Sequence, residues 1–491
     1  MKRWSLALTI ALAACGQQQP AVAPGTAPPG AGEALPDAEA FRKERPKPGE
    51  PASVDYPTPR QITLENGMRV LSVSAPGRVV SLNYVVRRGA AASPVKKSGL
   101  AGLVARMLTE STKRRSSMAL AEAVESLGTT LSSQATRDDS RVSLTVLPED
   151  FEKGLSLLAE VVTEPAFAER DFARVQREWL DGLRAERQDP ARLAMLAAIR
   201  ALNGPVFGAP VNGTLPDVER LRVQDLRDFH ARAYTPDNAA LIVVGAIEPA
   251  VIEREARRLF GGLRGKSGID APAPPAERGV AATKVLVVDR PDAVQTAVAA
   301  VQPFPKRSDP GHEARELLGT VVGGLFTSRL NMNLRERHAY TYGAFAQPVE
   351  NRHLGTFVLG TNVQTPVTAA AIREIQRELE AIQKPGGAPI TPPELERARA
   401  DVIHSLGATL EHPSRTASII ASLFTDELAL DYYTRFSKTV GAVTPAEVQA
   451  AAQHLAPGRL LFVLVGDRQK IQPELQKQGL SVEPAPAELI E

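Results

Sequence analysis

"YTPDNAALIVVGAI" (residues 234–247) and "LAPGRLLFVLVGD" (residues 455–467) are built to one plan. In each, a proline (Pro236, Pro457) stands nine residues before a glycine (Gly245, Gly466), and the run between them is apolar. Such a run bounded by turn residues is read as a strand. Each follows an amphipathic helix, marked by "RVQDL" in the first case and "TPAEV" in the second. The chain therefore contains two copies of one unit, each ending in helix, turn and strand. The Gly/Pro/Ala-rich stretch "GGLRGKSGIDAPAPPAERGVAA" separates them and supplies a linker, placed at 263–282. Two α+β domains follow, an N-terminal one over 59–262 and a C-terminal one over 283–480, with residues 481–491 as a tail.

Reading outward from these copies, "ITLENGMRVLSV" predicts two strands joined by a turn at "ENG", and "VVSLNYVVRRG" a third. "SGLAGLVARMLTEST" carries Leu100, Leu103, Val104, Met107 and Leu108 at helical spacing, with Ser98 placed to cap it. "RVSLTVLP" alternates as a strand, whereas "FEKGLSLLAEVV" and "ERDFARVQREWLDGLRAER" read as helices.

Composition excludes several functions. The chain has 491 residues, more than one ordinary core organises. Its 58 basic and 56 acidic residues leave a formal charge of +2, and aromatics are 5%, so neither a nucleic-acid surface nor a base-stacking platform is indicated. Cys15 is the single cysteine, which rules out disulfides within the chain and thiolate metal clusters.

At the N-terminus, Lys2 and Arg3 precede the short apolar run "WSLALTIALAA", which ends in "LAAC" at Cys15, followed by Gly16. This resembles a bacterial lipoprotein signal (1–15), cut so that Cys15 becomes the acylated N-terminus and holds the protein at a membrane surface. The lack of an acidic residue at position 16 implies, by the same resemblance, the periplasmic side of the outer membrane. Residues 16–58, dominated by Pro, Ala and Gly, read as an extended tether.

Taken in order, "ITLENGMRVL", "FGAPVNGTLPDVERLRVQDLRDFHARAYTPDNAALIVVGAI", "GGLFTSRLNMNLRERHAYTYGA" and "ITPPELERARADVI" resemble the pitrilysin/insulinase family of zinc peptidases, in its short two-domain bacterial form. The resemblance covers residues 60 to about 480. It implies two homologous domains forming half of a clamshell, each a mixed or antiparallel sheet with helices packed on one face. Active members carry H-x-x-E-H on the first long helix, with a further Glu downstream as the last zinc ligand. Here the motif positions hold Gly102, Ala105 and Arg106, and the downstream position in "WLDGLRAERQDP" falls on Gly182, beside Asp181 and Glu186. Glycine and alanine offer no ligand atom, and arginine is a permanent cation. Of the seven histidines the first is His230, so neither helix of the first domain that should hold zinc contains one. His404 and His412, eight apart, and His338 fit solvent-facing or core-edge positions better than a metal site.

The resemblance instead implies a substrate contact by Arg335 and Tyr342 in "LRERHAYTYGA", which together grip a peptide carbonyl near a partner's metal. Seven residues apart, the two would share one face of a two-turn helix; Tyr340, two residues earlier, is the alternative phenol. The chain then reads as a zinc-free, substrate-positioning subunit, inactive alone and cleaving peptides or unfolded proteins only with a zinc-binding insulinase-like partner. It binds no cofactor itself and no nucleic acid. A structural or peptide-binding homologue is the competing reading.

Overall fold

The computed structural model describes residues 56–269, 273–275, 278–384 and 386–490; the signal, Cys15 and all but the last residues of the tether lie outside them. The first half forms a six-stranded sheet from β1 (Arg60–Thr63), β2 (Arg69–Val73), β3 (Val80–Val86), β4 (Ser132–Ala135), β5 (Ser140–Val146) and β6 (Ala239–Val244), in the order β1-β2-β6-β3-β5-β4. The second half repeats it with β7 (Lys284–Asp289), β8 (Gln295–Phe304), β9 (Thr341–Glu350), β10 (Gly355–Gln364), β11 (Leu461–Gly466) and β12 (Ser481–Pro484), in the order β12-β7-β11-β8-β10-β9.

The two repeated sequence segments occupy the same slot. β6 runs parallel to β2 and antiparallel to β3, and β11 runs parallel to β7 and antiparallel to β8. The glycine that ends each segment is required by close approach. A Cβ on Gly245 would stand 2.9 Å from the Cα of Val80 in β3, and one on Gly466 2.9 Å from Oγ1 of Thr296 in β8.

Each sheet has its own helices on one face, as expected. In the first, Leu82, Tyr84 and Val86 of β3 share a core with the helices Leu100–Leu108 and Phe151–Thr163. In the second, Phe357, Leu359 and Phe462 share one with Ile372, Ile375 and Leu379 of the helix Thr368–Gln383. The strands are apolar on their other side as well, and a two-faced apolar strand needs a second cover. That cover comes from the opposite half of the chain. Val85, Ile242 and Val244 of the first sheet join a core with Ala417, Ile420, Ala421 and Phe424 of the helix Pro413–Thr425. Ala297, Ala299, Val301 and Val463 of the second sheet pack with Leu193, Ala194, Ala197 and Ala198 of the helix Pro190–Phe207. Facing alanines allow that helix to lie close to the strands. The halves thus exchange one helix each.

Two local expectations change. Ser98 does not cap the first long helix: its N-cap is Gly99, in a left-handed conformation, and the Ser98 hydroxyl donates to Asp217 at 2.6 Å and accepts from the Thr214 N–H. Of the expected tail 481–491, the described residues 481–490 do not stand apart from the second half. Ser481–Pro484 is the edge strand β12, paired in parallel with β7, and Leu489 packs into the core that the helix Pro190–Phe207 makes with the second sheet. The periodicity of four residues is too short to announce such a strand; its pairing partner lies about 200 residues upstream.

Candidate functional site

Arg335 and Tyr342 do not share a helix. Arg335 lies in a wide, π-type helical segment, Asn331–Arg337, and Tyr342 lies in β9. The chain reverses between them at Ala339, whose φ of +54° is left-handed, and the Tyr340 N–H then returns to the Leu334 carbonyl at 2.8 Å. Two features set the direction of Tyr342. Asn331 accepts from the Ala344 N–H at 2.8 Å, which pins the helical segment to β9. Opposite, the register between β9 and β10 slips between Thr361 and Val363, so that Tyr342 and Gly343 together face Asn362. Such a bulge turns a side chain out of the sheet's alternation, and Tyr342 is 89% exposed.

Both side chains line one cavity of about 360 Å³. Arg335 lays its guanidinium carbon 4.3 Å from the centre of the Phe326 ring, and its Nε is 3.4 Å from Glu336. Tyr340 points elsewhere: it packs partly buried on the main core and stacks on His338 at 5.0 Å. Of the two phenols, Tyr342 is the one in the cavity with Arg335.

The glycine-rich turn before this segment has a packing role. Gly323 lies so near β9 that a Cβ there would be 2.7 Å from both Cα and Cβ of Ala346, and closer still to its backbone nitrogen. Arg329 of "TSRL" is structural: its guanidinium forks onto Glu394 at 2.7 and 2.8 Å and donates to the carbonyls of Ala388 and Pro389. Burial pushes the Glu394 carboxyl up, but the Arg329 fork and the Thr391 N–H and hydroxyl outweigh it and hold its pKa at about 2. Thus two of the quoted sequence segments, "TSRL" and "ITPPEL", are two sides of one clamp.

The positions that the resemblance assigns to a metal come together as well. Arg106 on the first long helix and Gly182 on the helix Glu169–Glu186 line a second cavity of about 360 Å³ with Trp179, Leu183, Glu186 and Arg192. Trp179 stands against the first of them: a Cβ on Gly102 would sit 3.0 Å from its ring, while its Nε1 donates to the Asn212 carbonyl at 2.8 Å. Ala105 is fully buried, and Arg106 pairs with Glu110, which also takes Arg174. Asp181 pairs with Arg184 at 2.7 Å, and Glu186 with Arg192 at 2.5 Å. A divalent cation does not fit this set, which offers an aromatic wall and paired charges in place of open imidazole and carboxylate donors. Among the described residues no group of three or more His, Cys, Asp or Glu is arranged to hold a metal, and His404 and His412 are both exposed.

Sequence reading missed four contributors. Met195 and Ala191, from the helix that crosses over from the first half, form part of the Arg335 cavity, and Phe326 lies within the quoted "GGLFTSRL" as its exposed aromatic. Trp179, inside the quoted "WLDGLRAERQDP", lays its ring against Gly102.

Comparison with known proteins agrees with this architecture. The family profile described as insulinase (peptidase family M16) matches residues 69–207, and the one described as peptidase M16 inactive domain matches residues 220–402. A protein of Mycobacterium bovis named as an uncharacterized zinc protease is 26% identical over 430 residues, 86% of this chain and 96% of that protein. A Mycobacterium leprae protein of the same description is 28% identical over 289 residues, and there the match spans 58% of this chain and 64% of the relative's length. Among solved structures, a peptidase M16 inactive domain from Pseudomonas fluorescens superposes with a TM-score of 0.77 at 24% identity, over 83% of this chain and 98% of that one.

Proposed function

The chain belongs to the M16 (insulinase) peptidase family, and from that premise we propose that it is the zinc-free, substrate-positioning subunit of a two-protein metallopeptidase that cleaves peptides or unfolded proteins in the periplasm. One observation carries the reading. Arg335 and Tyr342, on different elements, line the same cavity, while the metal positions of the same chain hold Gly102, Ala105, Arg106 and Gly182. A chain that keeps the substrate grip and lacks the metal set needs a partner with the reverse.

In this reading the guanidinium and the phenol donate to a carbonyl oxygen of the bound peptide. The Arg335 guanidinium is already seated on the Phe326 ring before substrate arrives, and a donor fixed in this way is worth most as charge develops on that oxygen. The metal and the cleavage belong to the partner subunit, and Cys15 with its tether sets the pair's distance from the membrane.

The test is a pull-down of the full-length protein from its own membranes, followed by kinetics of whatever complex is recovered. A stoichiometric partner with H-x-x-E-H is expected, and Arg335→Ala should lower the turnover number by about 10²- to 10³-fold without dissociating the pair. An unchanged turnover number removes the substrate-positioning role. Recovery with an unrelated assembly, and no peptidase, replaces the reading with a structural one.

A further inference from the structure

Glu374, on the helix Thr368–Gln383, does not line the cavity of Arg335 and Tyr342, yet it meets the segment that carries Arg335 on both sides of that residue. Asn333 donates through Nδ2 to Glu374 Oε2 at 3.1 Å and to Glu378 Oε1 at 2.6 Å, and His338 places its Nε2 3.8 Å from the same Glu374 oxygen. The other Glu374 oxygen takes Arg377 at 2.8 Å.

Asn333 and His338 are five residues apart. In a regular α-helix that spacing turns two side chains about 140° from each other, so one carboxylate could not meet both. In a wide turn, closed by a hydrogen bond between residues five apart, they return to nearly the same face. The wide turn here is formed by these two residues themselves: the His338 N–H donates to the Asn333 carbonyl at 3.1 Å. The Leu334 carbonyl, which an α-turn would give to His338, accepts from the Tyr340 N–H instead. That bond belongs to the reversal that brings Tyr342 to the cavity, so the wide turn serves both members of the pair. Asn333 is 3% exposed, and among the described residues its Oδ1 has no partner. A buried amide oxygen left so costs stability, and the amide is explained by what its nitrogen holds.

We infer that Glu374 is a positioning residue for the grip of Arg335 and Tyr342: it fixes the wide turn, and with it the direction of the guanidinium. The inference rests on the peptide-positioning reading and adds to it the element that controls the site. Without the carboxylate the turn is free to close to the α form, one residue tighter, which carries the residues past Asn333 round the helix axis by up to about 100°.

The test is steady-state kinetics of the recovered two-protein complex on an unstructured peptide, with the full-length protein carrying each substitution. Glu374→Ala should lower the turnover number by about 10- to 100-fold, the scale of a misaimed catalytic contact. Glu374→Gln keeps an oxygen for Asn333 and should lose less than about threefold. Asn333→Asp, the same size but a like charge against two carboxylates, should reproduce the Glu374→Ala loss and serves where that variant does not fold. Because Glu374 acts through Arg335, adding Glu374→Ala to Arg335→Ala should cost less than about a further twofold. Losses that multiply, or a turnover number unchanged by both Glu374→Ala and Asn333→Asp while Arg335→Ala lowers it, overturn the inference and leave the peptide-positioning reading standing. No effect of Arg335→Ala, or no peptidase in the recovered material, overturns both.

Discussion

Gly323 and Gly324 are neighbours in one helical segment, and their substitution by alanine should differ by most of the stability one mutation can remove. At Gly323 the new methyl would lie 2.7 Å from Cα and Cβ of Ala346, where ordinary contact begins at 3.4 Å, so the segment and β9 must separate by at least about 0.7 Å. Neither side can yield cheaply. Val321 and Val322 beside Gly323 are buried in the main core, and β9 is paired with β10 along its length. Overpacking against backbone puts the cost near 3 kcal/mol. At Gly324 the nearest atoms to a new Cβ are 3.6 Å away, which is ordinary contact, and alanine should be neutral or stabilising by up to about 1 kcal/mol. At about 2 °C per kcal/mol for a unit of this size, Gly323→Ala should lower the thermal midpoint by about 6 °C and Gly324→Ala should not lower it. Calorimetry of the two variants side by side is the assay. Gly323→Ala should also weaken peptide binding, because the displaced segment leads into the one carrying Arg335. Equal midpoints for the two variants would refute the close-approach argument.

Three further outcomes follow from the site. Restoring a metal set with Gly102→His, Ala105→Glu, Arg106→His and Gly182→Glu should fail to retain zinc after dialysis while Trp179 stays, and adding Trp179→Ala should bring retention to about one zinc per chain; retention with Trp179 in place would show that the indole is no obstacle. Glu394 has a folded pKa below its ordinary value, so its contribution is present above about pH 4.5 and lost as pH falls toward 2. Urea midpoints of the wild type and Glu394→Gln should therefore differ at pH 7 and converge near pH 2 to 3, and a constant gap would assign the loss to packing. Ala339→Gly removes the cost of a left-handed alanine, about 1 kcal/mol, and adds some chain entropy in the unfolded state, so a net gain of about 0.5 kcal/mol is expected in chemical denaturation.

Much of this protein was legible from local chemistry. The Pro-to-Gly strand segments at 236–245 and 457–466 announced a duplicated unit, because an apolar run and its turn residues act within about ten residues of chain. The absence of donors at Gly102, Ala105 and Gly182 was equally plain, since a side chain that is not there has no conformation to discover. Spacing failed at Arg335 and Tyr342. Seven residues place two side chains on one helix face only if the helix continues, and here it ends at Arg337 and the chain reverses at Ala339. Their shared cavity depends instead on a chain reversal, on a β-bulge opposite Asn362 and on Asn331 reaching across to Ala344. Met195 in that cavity, the helix Pro413–Thr425 on the first sheet and β12 at the edge of the second were beyond any local pattern. The first two are placed by apolar surface meeting apolar surface over a hundred residues or more, an attraction with no direction of its own that becomes specific only when the whole core closes, and β12 by backbone pairing with a strand far upstream.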